Sequence, residues 1–174
     1  MSIPIARQVV MSWGRALREP HEVLGMPQRH SALPLPAEGS ALPFGNGRSY
    51  GDSGLNPGGA LIMARQLDRF ISFDAATGVL RCEAGVLLAD ILKLVLPQGW
   101  FLPVTPGTQF VTVGGAIAND VHGKNHHVTG SFGNHVTQLE LLRSDGSRRL
   151  CSLEQNADWF AATIGGLGLT GLIT

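Results

Sequence analysis

Residues 44–54 read FGNGRSYGDSG: four glycines, Gly45, Gly47, Gly51 and Gly54, in eleven positions, with Arg48, Ser49, Tyr50 and Asp52 between them. Each glycine raises the entropy cost of fixing the chain, so the run is neither a helix nor a regular strand. It is a surface turn, or a place where backbone must come close to something. Gly45, Gly47 and Gly51 are spaced GxGxxxG, one residue longer than the dinucleotide fingerprint GxGxxG. Gly54, Pro57, Gly58 and Gly59 forbid the helix that the fingerprint requires. No GxxxxGK[ST] loop occurs anywhere in the chain. The two common nucleotide-binding folds are thereby set aside, and a glycine loop of another kind remains.

Consecutive backbone N–H groups in a tight turn form a concave anion site, and a missing side chain lets a ligand approach. The 23 glycines of the chain, about twice the usual share of roughly 7%, gather at 45–59, 107–133 and 165–171. The second cluster contains TPGTQFVTVGGAIAND (105–120), in which Val113–Gly114–Gly115 opens an expected helix over AIAND. The positive end of such a helix favours a diphosphate. Two glycine loops converging on one pyrophosphate explain both; plain turns are the alternative for either loop alone.

The 174 residues are enough for one domain with its own core, and 44% hydrophobic against 15% charged residues describes a globular chain. Thirteen basic and thirteen acidic residues leave no net charge, which argues against a nucleic-acid partner. Cys82 and Cys151 form neither a disulfide framework nor a metal motif, so a reducing compartment is expected. The start, MSIPIARQVVMSWGRALREP, lacks the apolar core of a signal peptide, and no stretch has the length of a membrane span. A cytoplasmic protein is the expectation. The ending, ATIGGLGLTGLIT, reads as a strand beginning, so more protein is expected after Thr174.

Five prolines between 20 and 43 interrupt any long helix; a short helix near His21–Met26 and a short strand at Ala41–Phe44 are expected. Ala60–Ala64 reads as a buried strand, and Phe70–Phe73 with Val79–Glu83 as a hairpin around DAATG. VLLADILKLVL (86–96) has helical periodicity stopped by Pro97 and Gly99, and Trp100–Val104 reads as a strand. VTQLELLRSDGSRRL (136–150) carries Asp145–Gly146, a strong hairpin signal, and Asn156 is placed to cap a helix over ADWFAATI. Helices and hairpins mixed in this way predict an α+β fold rather than a doubly wound sheet.

NDVHGKNHH (119–127) holds three of the six histidines, with His135 close behind. Zinc is one reading, but Gly123 between His122 and His126 spoils an i,i+4 ligand pair, and no Cys or carboxylate stands at ligand spacing. The polar wall of a pocket fits His122 and Lys124 better, while structural hydrogen bonding suits His126, His127 and His135.

Together GNGRSYGD, PGTQFVTVGGAIANDVHGKNHHVTGSFGNHV, TIGGLGLTGLI and the N-terminal WGR resemble the FAD-binding half of the FAD-linked oxidases of the vanillyl-alcohol oxidase superfamily. The likeness is greatest to the decaprenylphosphoryl-β-D-ribose 2′-oxidase group. It is dense over 44–62 and 105–135, good at 160–174 and thin over 16–43. It implies a two-lobed PCMH-type FAD-binding α+β domain over 1–174, with lobes about 1–64 and 65–174, truncated before a downstream substrate or cap domain.

By that resemblance Gly45, Asn46, Gly47, Arg48, Ser49, Tyr50 and Gly51 form the pyrophosphate loop, and Gly107, Thr112, Val113, Gly114 and Gly115 a second loop. Asn119 and His122 lie along the flavin, Lys124 on the substrate side, and Ile173 meets the cofactor through its backbone. His122 and Lys124 are the catalytic candidates. Many relatives carry GxGHS and tether the flavin through that histidine; Arg48 stands here instead, which predicts noncovalent FAD and suits a diphosphate charge. The implied activity is oxidation of a CH–OH group of a sugar, sugar-alcohol or sugar-lipid, with a partner reductase as a further implication and no metal. The alternatives are a flavin-binding module without catalysis, and a His-rich metal-binding protein.

Overall fold

The computed structural model describes residues 7–174; the first six residues of the expected N-terminal lobe lie outside the described residues. Four strands, β1 (Arg7–Val9), β2 (Pro20–Gly25), β3 (Ala41–Phe44) and β4 (Ala60–Met63), form a sheet in the order β1-β2-β4-β3. β1 is antiparallel to β2, whereas β2 and β3 both run parallel to the central β4. The central strand is an unbroken apolar run, Ala60, Leu61 and Ile62 being buried, as a strand covered on both faces requires.

Next comes the hairpin β5 (Phe70–Asp74) and β6 (Val79–Cys82), over which α1 (Leu88–Val95) packs. The apolar stripe of α1 puts Leu88, Ile91 and Val95 inside, against Phe73, Leu80 and Cys82. Two short helices, α2 (Val113–Ala118) and α3 (His126–Thr129), lead to a third sheet. Its strands β7 (Gln138–Leu142), β8 (Arg148–Ser152) and β9 (Leu172–Ile173) lie in the order β8-β7-β9, all antiparallel, and α4 (Ala157–Thr163) connects β8 to β9. Leu142 and Leu172 share a buried cluster with Met26, Ile62, Ala64 and Leu67, and so fasten the third sheet to the first. Helices mix with hairpins and small sheets, and no doubly wound sheet forms among the described residues.

Several expectations need correction. Residues 21–25 belong to β2 and not to a helix: Glu22 to Gly25 pair with Ala60 to Met63, and six residues cannot outweigh a ladder on both sides with weak helical propensity of their own. Trp100–Val104 is irregular. Val104 is fully buried and Trp100 and Leu102 pack against the α1 cluster, whereas Phe101 is exposed; the Trp100 indole donates to the Ala75 carbonyl oxygen at 2.9 Å. Asn156 precedes α4 as expected but sits in the left-handed region (φ 51°), and its amide donates to the Leu150 carbonyl instead of capping.

Titratable groups near β7 and β6 give the fold two measurable signatures. Burial raises the Glu140 carboxyl, but hydrogen bonds from Thr174 (2.8 Å) and Arg148 (2.7 Å), with the charges of Arg148 and Arg29, outweigh it and hold the group below its usual range. Its contribution is therefore complete above the ordinary carboxylate pKa and is lost as pH falls through the depressed value. Glu140→Gln should cost about 1–2 kcal/mol at pH 7, and the gap to wild type in urea titrations should narrow below about pH 4. Burial, with the charge of Glu83 beside it, pushes the Cys82 thiol up to about 12, and burial raises Cys151 as well. Both thiols should resist a disulfide reagent at pH 8 until the protein is unfolded; rapid reaction in the native state would contradict this packing.

Candidate functional site

β3 delivers the chain into the first glycine loop, and Leu55, buried, ends it with its N–H donating to the Asp52 carbonyl at 2.9 Å. The second loop is drawn against the first by three contacts. The Asn46 amide donates to the Phe110 carbonyl at 2.7 Å, the Ser49 hydroxyl donates to Asn119 Oδ1 at 3.4 Å, and Gly45 faces Thr112. A Cβ on Gly45 would stand 2.6 Å from Thr112 Oγ1, so no side chain fits there. Thr112 is buried and caps α2, accepting from the Gly115 N–H at 3.0 Å.

The third glycine cluster closes the side. Gly165 and Leu167 donate through their N–H groups to the carbonyls of Ile117 and Ala118 at the end of α2, at 3.0 and 2.8 Å. The Arg143 guanidinium donates to the Thr170 carbonyl and lies 4.2 Å over the Trp159 ring, with Arg149 at 4.9 Å, so α4 and β7 hold this segment. Between the three segments lies a cleft, part of it open to solvent.

Ten of the expected residues line it: Gly45, Asn46, Gly47, Arg48, Ser49, Thr112, Gly114, Gly115, Asn119 and Ile173. Six do not. Tyr50 is 83% exposed, Gly51 and Gly107 are exposed, and Val113 packs into the core between α1 and α2. His122 and Lys124 are exposed just beyond Val121, which does line the cleft. The His122 and His126 rings stand edge to face at 5.2 Å, and His126 and His127 at 5.9 Å; among the described residues no three His, Cys, Asp or Glu side chains converge as a metal site. Ser12, Phe44, Leu167 and Gly168 line the cleft without having been expected there. Gly168 lies in a glycine cluster visible in the sequence, whereas Ser12 carries no local signal.

Asp120 holds the histidine-bearing segment to this wall. Its carboxylate accepts from the Gly133 N–H and from the Ser131 hydroxyl, both at 2.9 Å, while its backbone takes a positive φ of 42°.

The two loops differ in what they offer a ligand. At the start of α2 the N–H groups of Val113, Gly114, Gly115 and Ala116 already donate to Val86 O, Ala84 O, Thr112 Oγ1 and Thr112 O. The protein itself therefore uses the first N–H groups of this helix. In the first loop the N–H groups of Asn46, Gly47, Arg48 and Ser49 donate to no group among the described residues. Arg48 Nε is buried without a hydrogen-bond partner, and no carboxylate pairs with the guanidinium among the described residues. Four available amides and an unpaired cation on one concave wall are the donor set that a diphosphate needs, so the residues fit the cofactor.

Comparison with known proteins agrees. The chain is 44% identical to the decaprenylphosphoryl-β-D-ribose oxidase of Mycolicibacterium smegmatis over 177 residues, covering 98% of this chain and 38% of that protein. It is 32% identical to mouse (Mus musculus) L-gulonolactone oxidase over 131 residues, 74% of this chain and 29% of the relative. With human (Homo sapiens) Δ(24)-sterol reductase it shares 31% over 112 residues, 64% of this chain and 22% of the relative. The chain thus spans well under half the length of each of these relatives. Residues 37–152 match the family described as the FAD binding domain. The chain belongs to that family, within the FAD-linked oxidases, and its cofactor is FAD.

Proposed function

We propose that this chain is the cofactor-binding part of an oxidoreductase that removes hydride from a CH–OH carbon of a sugar, sugar-alcohol or sugar-lipid. The observation that carries the reading is the first glycine loop, whose unbonded amides and unpaired Arg48 face a cleft walled by the second and third glycine segments. When bound, FAD supplies a hydride acceptor at flavin N5. The chain's own residues bind and orient. Asn46 to Ser49 offer N–H donors to the diphosphate, and Arg48 neutralises its charge without a covalent bond. Gly45 and Thr112 keep the two walls at contact distance, and Asn119, tied to Ser49 and to the Gly115 carbonyl, fixes the far end of the cleft.

His122 and Lys124 follow Val121 at the edge of the cleft and are assigned to the flavin and substrate side, where imidazole and ammonium groups orient a hydroxyl or accept its proton. Tyr50, Gly51, Gly107 and Val113 keep supporting places in the two loops. The name of the M. smegmatis relative supports a ribose-type substrate and, by analogy alone, a sugar-lipid. Two lobes, about 1–64 and 65–174, are the reading that a cleft lined from both sides supports. No helix among the described residues is long and apolar enough to cross a membrane, and both cysteines are free; a cytoplasmic site and a partner reductase complete the proposal.

The purified chain should show the visible absorption of a flavin or acquire it on adding FAD, and acid precipitation should release all of it to the supernatant. Flavin left in the pellet would overturn the noncovalent assignment. Arg48→Ala should weaken FAD binding about 30-fold, the equivalent of about 2 kcal/mol, and flatten the salt dependence of the Kd. Gly45→Ala forces Thr112 Oγ1 off the Gly115 N–H and should lower stability by about 1–2 kcal/mol in urea titrations; FAD affinity should fall with it. Bleaching of the flavin by a sugar or polyol under anaerobic conditions tests turnover separately from binding.

A further inference from the structure

The segment just after β1 lies against the first glycine loop at three points. The Ser12 hydroxyl, in a buried residue, donates to Asp52 Oδ1 at 2.7 Å. The Met11 carbonyl oxygen would stand 2.8 Å from a Cβ on Gly47, a glycine with φ +60°. A turn closes from the Arg15 N–H to the Ser12 carbonyl at 3.2 Å, with Arg15 itself at φ 53°. This turn presents Trp13, half in solvent, to Arg48, whose guanidinium carbon lies 5.6 Å from the ring centroid. Arg48 has no acidic partner among the described residues, and its Nε makes no hydrogen bond. Among the described residues, the ring face is therefore the contact that places this cation.

From this contact we infer that Trp13 is a positioning residue for diphosphate recognition: its indole holds the Arg48 guanidinium over the first glycine loop, ready to meet an anion. The inference rests on the reading of Arg48 as the diphosphate contact. An arginine side chain left free loses rotamer entropy when it engages a ligand; one held against a ring has lost part of this in advance. A cation–π contact engages the guanidinium without an acidic group, and so leaves its N–H donors to phosphate oxygens, which a carboxylate partner would have occupied. Trp13 thus orders Arg48 without neutralising it.

The test is titration of the apo chain with FAD and, separately, with riboflavin, which lacks the diphosphate, alongside urea unfolding of each variant. Trp13→Leu should weaken FAD binding about 3- to 10-fold, the range of an exposed or partly desolvated cation–π contact, and leave riboflavin affinity and the urea midpoint unchanged. Trp13→Phe, which keeps a ring face, should recover most of the loss. In an Arg48→Ala background, Trp13→Leu should have no further effect. Equal weakening of FAD and riboflavin would overturn the assignment, since it marks general loosening of the loop. So would wild-type FAD affinity in Trp13→Leu beside a weakened Arg48→Ala, an outcome that leaves Arg48 as the anion contact. Wild-type affinity in Arg48→Ala would remove both readings together. Additive losses in the double variant would show that Trp13 acts without Arg48.

Discussion

Gly45 stands against Thr112 with no room for a methyl group between them, and the rest of the site depends on that approach. Because the first residue of one loop has no side chain, the N-cap of α2 packs directly on its backbone. Thr112 then serves both elements, turning its hydroxyl toward Gly115 and its flank toward Gly45. The Asn46–Phe110 and Ser49–Asn119 bonds extend the same seam outward. A cleft results in which glycine backbone from both loops lies among apolar side chains such as Phe44, Leu172 and Ile173, so that a ligand can approach the main chain closely.

The energetic division of labour between the loops follows from hydrogen-bond accounting. A buried amide without a partner is costly, so α2 spends its first N–H groups on Val86, Ala84 and Thr112 and becomes a fixed wall. The first loop leaves the N–H groups of Asn46 to Ser49 and the buried Nε of Arg48 without partners among the described residues. One side of the cleft is thus fixed by its own hydrogen bonds, and the other keeps donors without protein partners. The Arg143–Trp159–Arg149 stack extends the rigid side by anchoring the third glycine segment from behind.

Much of this was legible in local pattern. The glycine spacing and the absence of a following helix ruled out the common nucleotide folds; the apolar stripe of α1, the Asp145–Gly146 turn and the hairpin at 70–83 each form where their residues place them. Local pattern failed where tertiary pairing or packing decided. Residues 21–25 form a strand because β4 lies alongside, Trp100–Val104 packs without pairing, and Asn156 turns its amide to Leu150. In the site, residues within the two loops were readable; Ser12 was not, and Trp13 entered only within the WGR of the resemblance with no role attached, because their contacts are to residues 35 or more positions away.

The sequence by itself determined where the chain is flexible and where it is charged: three glycine clusters, one arginine within the first of them, and a histidine-rich stretch beside the second. Chain flexibility and charge are properties of residue type, so they are visible without a fold. Only the tertiary structure decided which of those groups are free to act. Whether an amide or a guanidinium is available depends on what the rest of the chain has already bonded to it, and that is settled by contacts between residues far apart in sequence.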